Sequence, residues 1–319
     1  MLVKYNEELK PIWKNALDLS VNGTFMHERD FIAYHPEDKF IDHSVIIDDK
    51  FLFPANEKRD VIYSHQGLSY AGLISPKGSK LTKYLQVFYE LLDYYKSGGF
   101  SQIAYKQTPQ FYCNGYNGSE DYALFLSEAK CYRQDSNVVV YPRIGLKPSE
   151  RKKRNIKKGF QNKLYTKYSD QDSDFEEYYN KILIPCLKNK HNVSPTHSLE
   201  EMIKLKKLFP DSIRLNTVYH QNEIIAGVIW FKNKNVNHSQ YIASIEKSTQ
   251  MGGLDFLFSE FMAFNNGALL SFGVCNEDEG KILNKGLSDW KQEFDAGIVT
   301  HKYYKIDLNQ DFANLKRNI

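Results

Sequence analysis

Residues 217–248 read TVYHQNEIIAGVIWFKNKNVNHSQYIASIEKS. Three β-rich runs stand in this stretch, at 217–219, 224–231 and 236–245. The polar turns Gln221-Asn222-Glu223 and 232–235 separate them. Apolar residues alternating between turn residues mark an antiparallel meander. The loop Thr249-Gln250-Met251-Gly252-Gly253 comes next, and then Leu254, Leu257, Phe258, Phe261 and Met262 at helical spacing. Gly267 is placed to stop that helix, and 269–274 reads as a further short strand. The order is three strands, a glycine-bearing loop, a helix and a strand.

An earlier stretch reads as a second copy. Residues 44–75 are SVIIDDKFLFPANEKRDVIYSHQGLSYAGLIS. Runs are expected at 44–47, 51–55 and 61–73, with turns at Asp48-Asp49-Lys50 and 56–59. The loop 76–80 follows, then a helix over 81–95 carried by Leu81, Tyr84, Leu85, Phe88, Leu91 and Leu92. Gly98-Gly99 closes it, and 102–106 is a strand. A repeat of about sixty residues points to duplication of one supersecondary unit.

Other elements fill in around the copies. Helices are expected over 6–18, 23–35, 121–134, 175–187 and 198–208, the last with Ser198 and Glu201 at capping-box spacing. Residues 137–141 form a strand. A basic helix starts after Pro148-Ser149-Glu150, with Ser149 as N-cap. The module boundary falls near 144–148, giving domains 1–145 and 146–319.

Composition narrows the class. The chain has 319 residues, 42% hydrophobic and 25% charged, as expected for a globular protein. No apolar run approaches the ~20 residues needed to span a bilayer. The N-terminal stretch has no apolar h-region, so a secretory leader is not expected and the assignment is cytoplasmic. Cys113, Cys131, Cys186 and Cys275 are far apart and share no ligand spacing, which argues for reduced thiols and no metal site. Net charge is +3. Between residues 147 and 167, nine Lys/Arg face Glu150 alone, a local +8 that leaves −5 elsewhere. Such a patch attracts phosphates, whether of RNA, an acyl carrier or a nucleotide sugar.

The strand–strand–strand–loop–helix–strand order is similar to the core of GNAT acyltransferases. Two copies with a basic helix between them resemble FemAB-like proteins. The strings at 22–27 (NGTFMH), 64–72 (SHQGLSYAG), 151–160 (RKKRNIKKGF) and 286–294 (GLSDWKQEF) carry the likeness, which spans nearly the whole chain. The resemblance implies an α+β (mixed α/β) fold of two tandem GNAT-like domains. Each domain is a mixed, mostly antiparallel sheet flanked by helices. It also implies an acyltransferase of cell envelope biosynthesis. The chain departs from the pattern at Asp295-Ala296-Gly297, where a glycine usually follows the phenylalanine. It departs again at Gln250-Met251-Gly252-Gly253, a shortened pyrophosphate loop. The long helical hairpin of peptidoglycan-branching members is not visible.

Amide formation by acyl transfer needs a neutral amine, an activated donor and support for an oxyanion. Gly252 and Gly253, with Gln250 and Met251, precede a helix whose free N–H groups would favour the pyrophosphate of acetyl-CoA or another acyl-CoA. The strand 237–245 would lay its backbone beside a pantetheine chain. His65 and Tyr70 in the first copy, and His238, Tyr241 and Glu246 in the second, are the candidate acid–base groups. Lys291, Arg154, Arg29 and Gln66 are candidate substrate contacts. Three functions stay open at this point: N-acyl transfer from acyl-CoA to an amine of a glycan or cell-wall precursor, aminoacyl-tRNA-dependent transfer of FemX type with the basic helix as RNA contact, and a non-catalytic pair binding a nucleotide sugar.

Overall fold

The computed structural model describes residues 1–319 apart from Glu37, 142–146 and Asn266. The chain forms two compact units. Unit 1 is Met1–Asp135 with Asp278–Lys281 and Thr300–Ile319; unit 2 is Ser136–Glu277 with Ile282–Val299. The boundary expected at 144–148 falls partly on 142–146, outside the described residues.

In chain order the first elements are β1 (Leu2–Lys4), α1 (Lys10–Asp18), α2 (Arg29–Ile32), β2 (Ile41–Asp42), β3 (Val45–Ile47), β4 (Phe51–Phe53), β5 (Asn56–Lys58), β6 (Val61–Tyr63), α3 (Leu81–Ser97), β7 (Gln102–Lys106), α4 (Gly118–Leu126) and β8 (Lys130–Val140). Then come α5 (Glu150–Gln161), β9 (Tyr165–Ser169), α6 (Asp172–Tyr178), α7 (Ile184–His191), α8 (Leu199–Leu208), β10 (Ile213–His220), β11 (Glu223–Lys232), β12 (Val236–Ser244), α9 (Glu246–Met251) and α10 (Gly253–Phe264). The last are β13 (Leu269–Val274), β14 (Asn276–Glu277), β15 (Ile282–Leu283), α11 (Lys285–Gln292), β16 (Gly297–Asp307) and α12 (Ala313–Lys316).

Unit 2 builds its meander as read. β10, β11 and β12 pair antiparallel in sequence. Gln221 and Asn222 both take positive φ, the geometry of a tight two-residue hairpin. β12 then pairs parallel with β13, with α9 and α10 in the crossover, and β13 pairs antiparallel with β8. Trp230, Phe258, Leu257 and Phe272 anchor the core beneath α10.

Unit 1 has the same frame, but not with the strands expected. β2–β5 and β5–β6 are antiparallel, β6–β7 is parallel across α3, and β7–β16 is antiparallel. The sequence of pairings matches β10–β11, β11–β12, β12–β13 and β13–β8 one for one. The counterparts of β10 and β11 are therefore β2 and β5. The expected strands at 44–47 and 51–55 form the hairpin β3–β4 instead, turned at Asp48-Asp49 and joined to β1 in a separate three-stranded sheet. The expected turn at 56–59 is largely strand β5, and the long third run shrinks to β6. The duplication is real, and its register in the first copy is corrected.

Three helices also differ from expectation. The one expected over 23–35 is broken at Glu28, which is extended, leaving a 3-10 turn at Phe25–His27 and the short α2. The helix expected over 121–134 ends at Leu126, and β8 begins at Lys130. Glu128 is left-handed, Ala129 N–H donates to Leu124 O, and Glu128 N–H donates to Phe125 O. Those are the two bonds of a Schellman stop, closed here without the usual glycine. The helix expected over 175–187 is realised as α6 and α7 around a π-wound turn, Tyr179–Leu183. Pro185 has no N–H to give an α-helical ladder there. Ser149 caps α5 and Ser198 caps α8 in a full capping box, as read.

Candidate functional site

The strongest constellation lies in unit 2, where β12 and β13 part. Their parallel register covers Val236↔Leu269, Asn237↔Leu270 and His238↔Ser271. Beyond it, residues 239–244 of β12 pair with β11 alone among the described residues. The β11–β12 register slips between Tyr241 and Ser239, so Gln240 is the extra residue of a bulge. β13 is irregular too, between Ser271 and Val274, around Gly273 at φ +72. The two strands therefore splay, and β12 keeps an open edge of backbone donors and acceptors.

Polar side chains gather at the fork. His238 Nδ1 lies 3.0 Å from Ser271 Oγ, and Gly273 N–H donates to that same oxygen at 3.2 Å. Ser239 Oγ donates to Ser271 O at 3.0 Å. Lys291 reaches in from α11 and donates from Nζ to Val274 O at 2.7 Å and Gly273 O at 3.4 Å. Burial lowers the Lys291 ammonium to about 8. Burial, aided by the Lys291 charge, lowers His238 to about 4, so its ring is neutral at pH 7. A Cβ on residue 273 would stand 3.3 Å from His238 Cε1, so glycine lets the ring sit against the strand.

Lys291 is aimed by a second cluster. Its neighbour Trp290 donates from Nε1 to Asp255 Oδ1 at 2.8 Å. Asp255 also accepts from Lys152 Nζ and Asn155 Nδ2, both at 2.8 Å. Lys152 is 0% exposed, and its ammonium stands 3.9 Å from the Phe294 ring centroid. The basic helix and the GLSDWK string thus meet on Asp255 of α10, which pairs with the Lys152 ammonium and accepts from the Trp290 indole. Neither Lys152 nor Asp255 was legible as special, since one sits in a charge run and the other in an ordinary first turn.

The other expected residues are placed as follows. Tyr241 Oη bonds His197, Nδ1 at 2.8 Å and backbone N at 3.0 Å, pinning the loop before α8 onto β12. Glu246 is exposed at the start of α9, and Arg154 is exposed on α5. Gln250 and Met251 end α9, while Gly252 (φ +76) and Gly253 open α10. A Cβ at 252 would lie 2.2 Å from the carbonyl oxygen of Asn155, so α5 covers that face of the turn. In unit 1, Arg29 is buried against Tyr5, bonding Ser44 Oγ and Asp42. Tyr70 is core, stacked on Tyr112 with its hydroxyl toward Thr24. Gln66 is clasped by Asn56 through its backbone N–H and Oε1. His65 is buried at φ +51, held well below the usual imidazole range by desolvation, and stacks on Phe40. The fold brings His238 and Lys291 together, and adds Ser271 and Gly273, for which the sequence held no signal.

Among the described residues no helix is long and apolar enough to cross a membrane, and no three His, Cys, Asp or Glu side chains are grouped to hold a metal ion.

Tandem units built on this frame share their fold with several solved structures of low sequence identity. Solved structures that share it include FemX, at TM-score 0.67 and 9% identity over 99% of both chains. A second is the C-terminal DUF2156 domain of a putative lysylphosphatidylglycerol synthetase from Agrobacterium fabrum, at TM-score 0.61 and 10% identity over 95% of this chain and 92% of that one. A third is a conserved protein of unknown function from Bacteroides thetaiotaomicron, at TM-score 0.63 and 10% identity over 96% and 100%. No protein-family model and no curated protein matches the sequence.

Proposed function

We propose that the protein is an acyltransferase that moves an acyl group from an activated donor to an amine, with the donor's acyl end held in the fork between β12 and β13. The observation that carries this is the open edge of residues 239–244, bordered by His238, Ser271, Gly273 and Lys291. A donor with amide groups would add to that edge as a short strand. The amine nitrogen attacks the donor carbonyl carbon and the carbonyl oxygen gathers charge. Collapse then expels the thiolate or ester oxygen, and the proton given up by the amine nitrogen ends on that leaving group as thiol or hydroxyl. Lys291, charged at pH 7 with its pKa near 8, supplies a buried donor to that oxygen. The cytoplasm and an amine of a glycan or cell-wall precursor suit this reading.

For the donor, acyl-CoA is the first candidate. A specific observation supports aminoacyl-tRNA as a second: Lys153, Arg154, Lys157 and Lys158 form an exposed basic face on α5, while Gly252, the turn expected to receive a pyrophosphate, is covered by Asn155. The test is transfer to a panel of amines from acetyl-CoA and, separately, from aminoacyl-tRNA, with Lys291→Ala as control. Product with either donor, lost in the variant, supports the reading. No product with any pairing, together with no stabilisation of the fold by either donor, refutes it.

A further inference from the structure

The Ser271 hydroxyl sits at the fork between the His238 ring and the Gly273 N–H. Ser271 is 0% exposed. Its hydroxyl has one hydrogen and two acceptor positions. One acceptor position is taken by Gly273 N–H, at 3.2 Å. The remaining neighbour of Oγ is His238 Nδ1, at 3.0 Å. If Nδ1 carried a proton, it would fill the second acceptor position, and the hydroxyl hydrogen would point at no acceptor among the described residues. Buried donors are rarely left so, because the cost of desolvation is not recovered. If Nδ1 is bare, the hydroxyl donates to it, and the Ser271 oxygen has both its hydrogen and an acceptor position matched.

We propose that Ser271, itself oriented by the Gly273 N–H, is a positioning residue that holds His238 as the Nε2–H tautomer, so that His238 acts at the fork as a hydrogen-bond donor and not as the base. Whatever meets Nε2 meets a donor. His238 then works in the same sense as Lys291, stabilising negative charge, and the amine must give its proton elsewhere. The catalytic part of this statement rests on the acyl-transfer reading; the tautomer does not.

Nitrogen-15 spectroscopy of the uniformly labelled full chain reads the tautomer directly, with the His238 signals identified by their loss in His238→Gln. At neutral pH the expected pattern is a protonated-type Nε2 and a bare-type Nδ1. Ser271→Thr keeps the hydroxyl and keeps that pattern. Ser271→Ala shifts both signals toward a mixture, as Nδ1 takes a share of the proton. A protonated Nδ1 in the native protein overturns the proposal, and so does an unchanged pattern in Ser271→Ala. If that variant does not fold, the native and Ser271→Thr spectra decide alone. In transfer assays His238→Gln, which keeps an N–H but accepts no proton, should retain more activity than His238→Leu; equal loss contradicts the donor role. An Nε2–H pattern without any transfer would sink the acyl-transfer reading and leave the tautomer standing.

Discussion

Units 1 and 2 use the same sequence of strand pairings, yet their forks end differently. In unit 2, β12 runs on past His238 with a bulge and an open edge. In unit 1, β6 stops at Tyr63 and the chain turns across the end of β7. Ser64 N–H donates to Ala104 O, and Ala71 N–H donates to Lys106 O. Lys106 then donates from Nζ to the carbonyls of His65, Gln66 and Leu68, at 3.3, 3.0 and 2.7 Å. Each fork holds a lysine lowered to about 8 by desolvation and a histidine whose imidazole range is lowered by desolvation, buried at His65 and half-buried at His238. In one the lysine stitches a loop into the gap; in the other it borders a gap. Both units share the frame, and they differ in the length of the strand before the crossover, β6 being three residues and β12 nine.

That contrast can be broken in several ways. The largest effect is expected at Lys291. Lys291→Ala should lower kcat for transfer by about 10²- to 10³-fold, the usual cost of one oxyanion donor, with little change in donor affinity. Lys106→Met should do the opposite. It leaves three carbonyls without their donor and should cost about 3 kcal/mol in denaturant unfolding, while donor binding persists. Equal loss of activity in both variants would erase the distinction between the forks.

Gly252→Ala is expected to destabilise by about 1–3 kcal/mol, since φ is +76 and the new Cβ would meet the Asn155 carbonyl at 2.2 Å. A pH series sharpens the picture of unit 1. Burial raises Glu120 to about 8 from an ordinary 4.5, so the folded state keeps a proton that the unfolded chain releases. Its contribution is full below pH 4.5 and is lost as pH rises to about 8. Glu120→Gln should flatten that fall in denaturation measured from pH 5 to 8. The smallest effect is Ser198→Ala, which removes a capping box and should cost about 1 kcal/mol.

The sequence disclosed the second copy well because its hairpin turn, strand alternation and helix all agree locally. Gln221-Asn222, the Leu254–Phe258–Phe261 spacing and Ser198/Glu201 each point to the element that forms. The first copy misled because β3–β4 is an extra hairpin with better strand character than β5, whose residues are Asn56, Glu57 and Lys58. Pairing partners, not propensity, make β5 a strand. The site was half legible. His238 and Lys291 stood out by type and by resemblance, whereas Ser271 and Gly273 matter only because the parallel register sets them beside His238. Lys152 looked like one more surface charge, and its burial depends on Asp255, 103 residues away.

Backbone hydrogen exchange of residues 239–244 tests the central claim most directly, measured without donor and with saturating acetyl-CoA or aminoacyl-tRNA. The account predicts that the donor supporting transfer slows exchange along this segment and at 271–274, leaving 64–71 unchanged. Slowing confined to 64–71, or none at 239–244 under a donor that is demonstrably turned over, would contradict it.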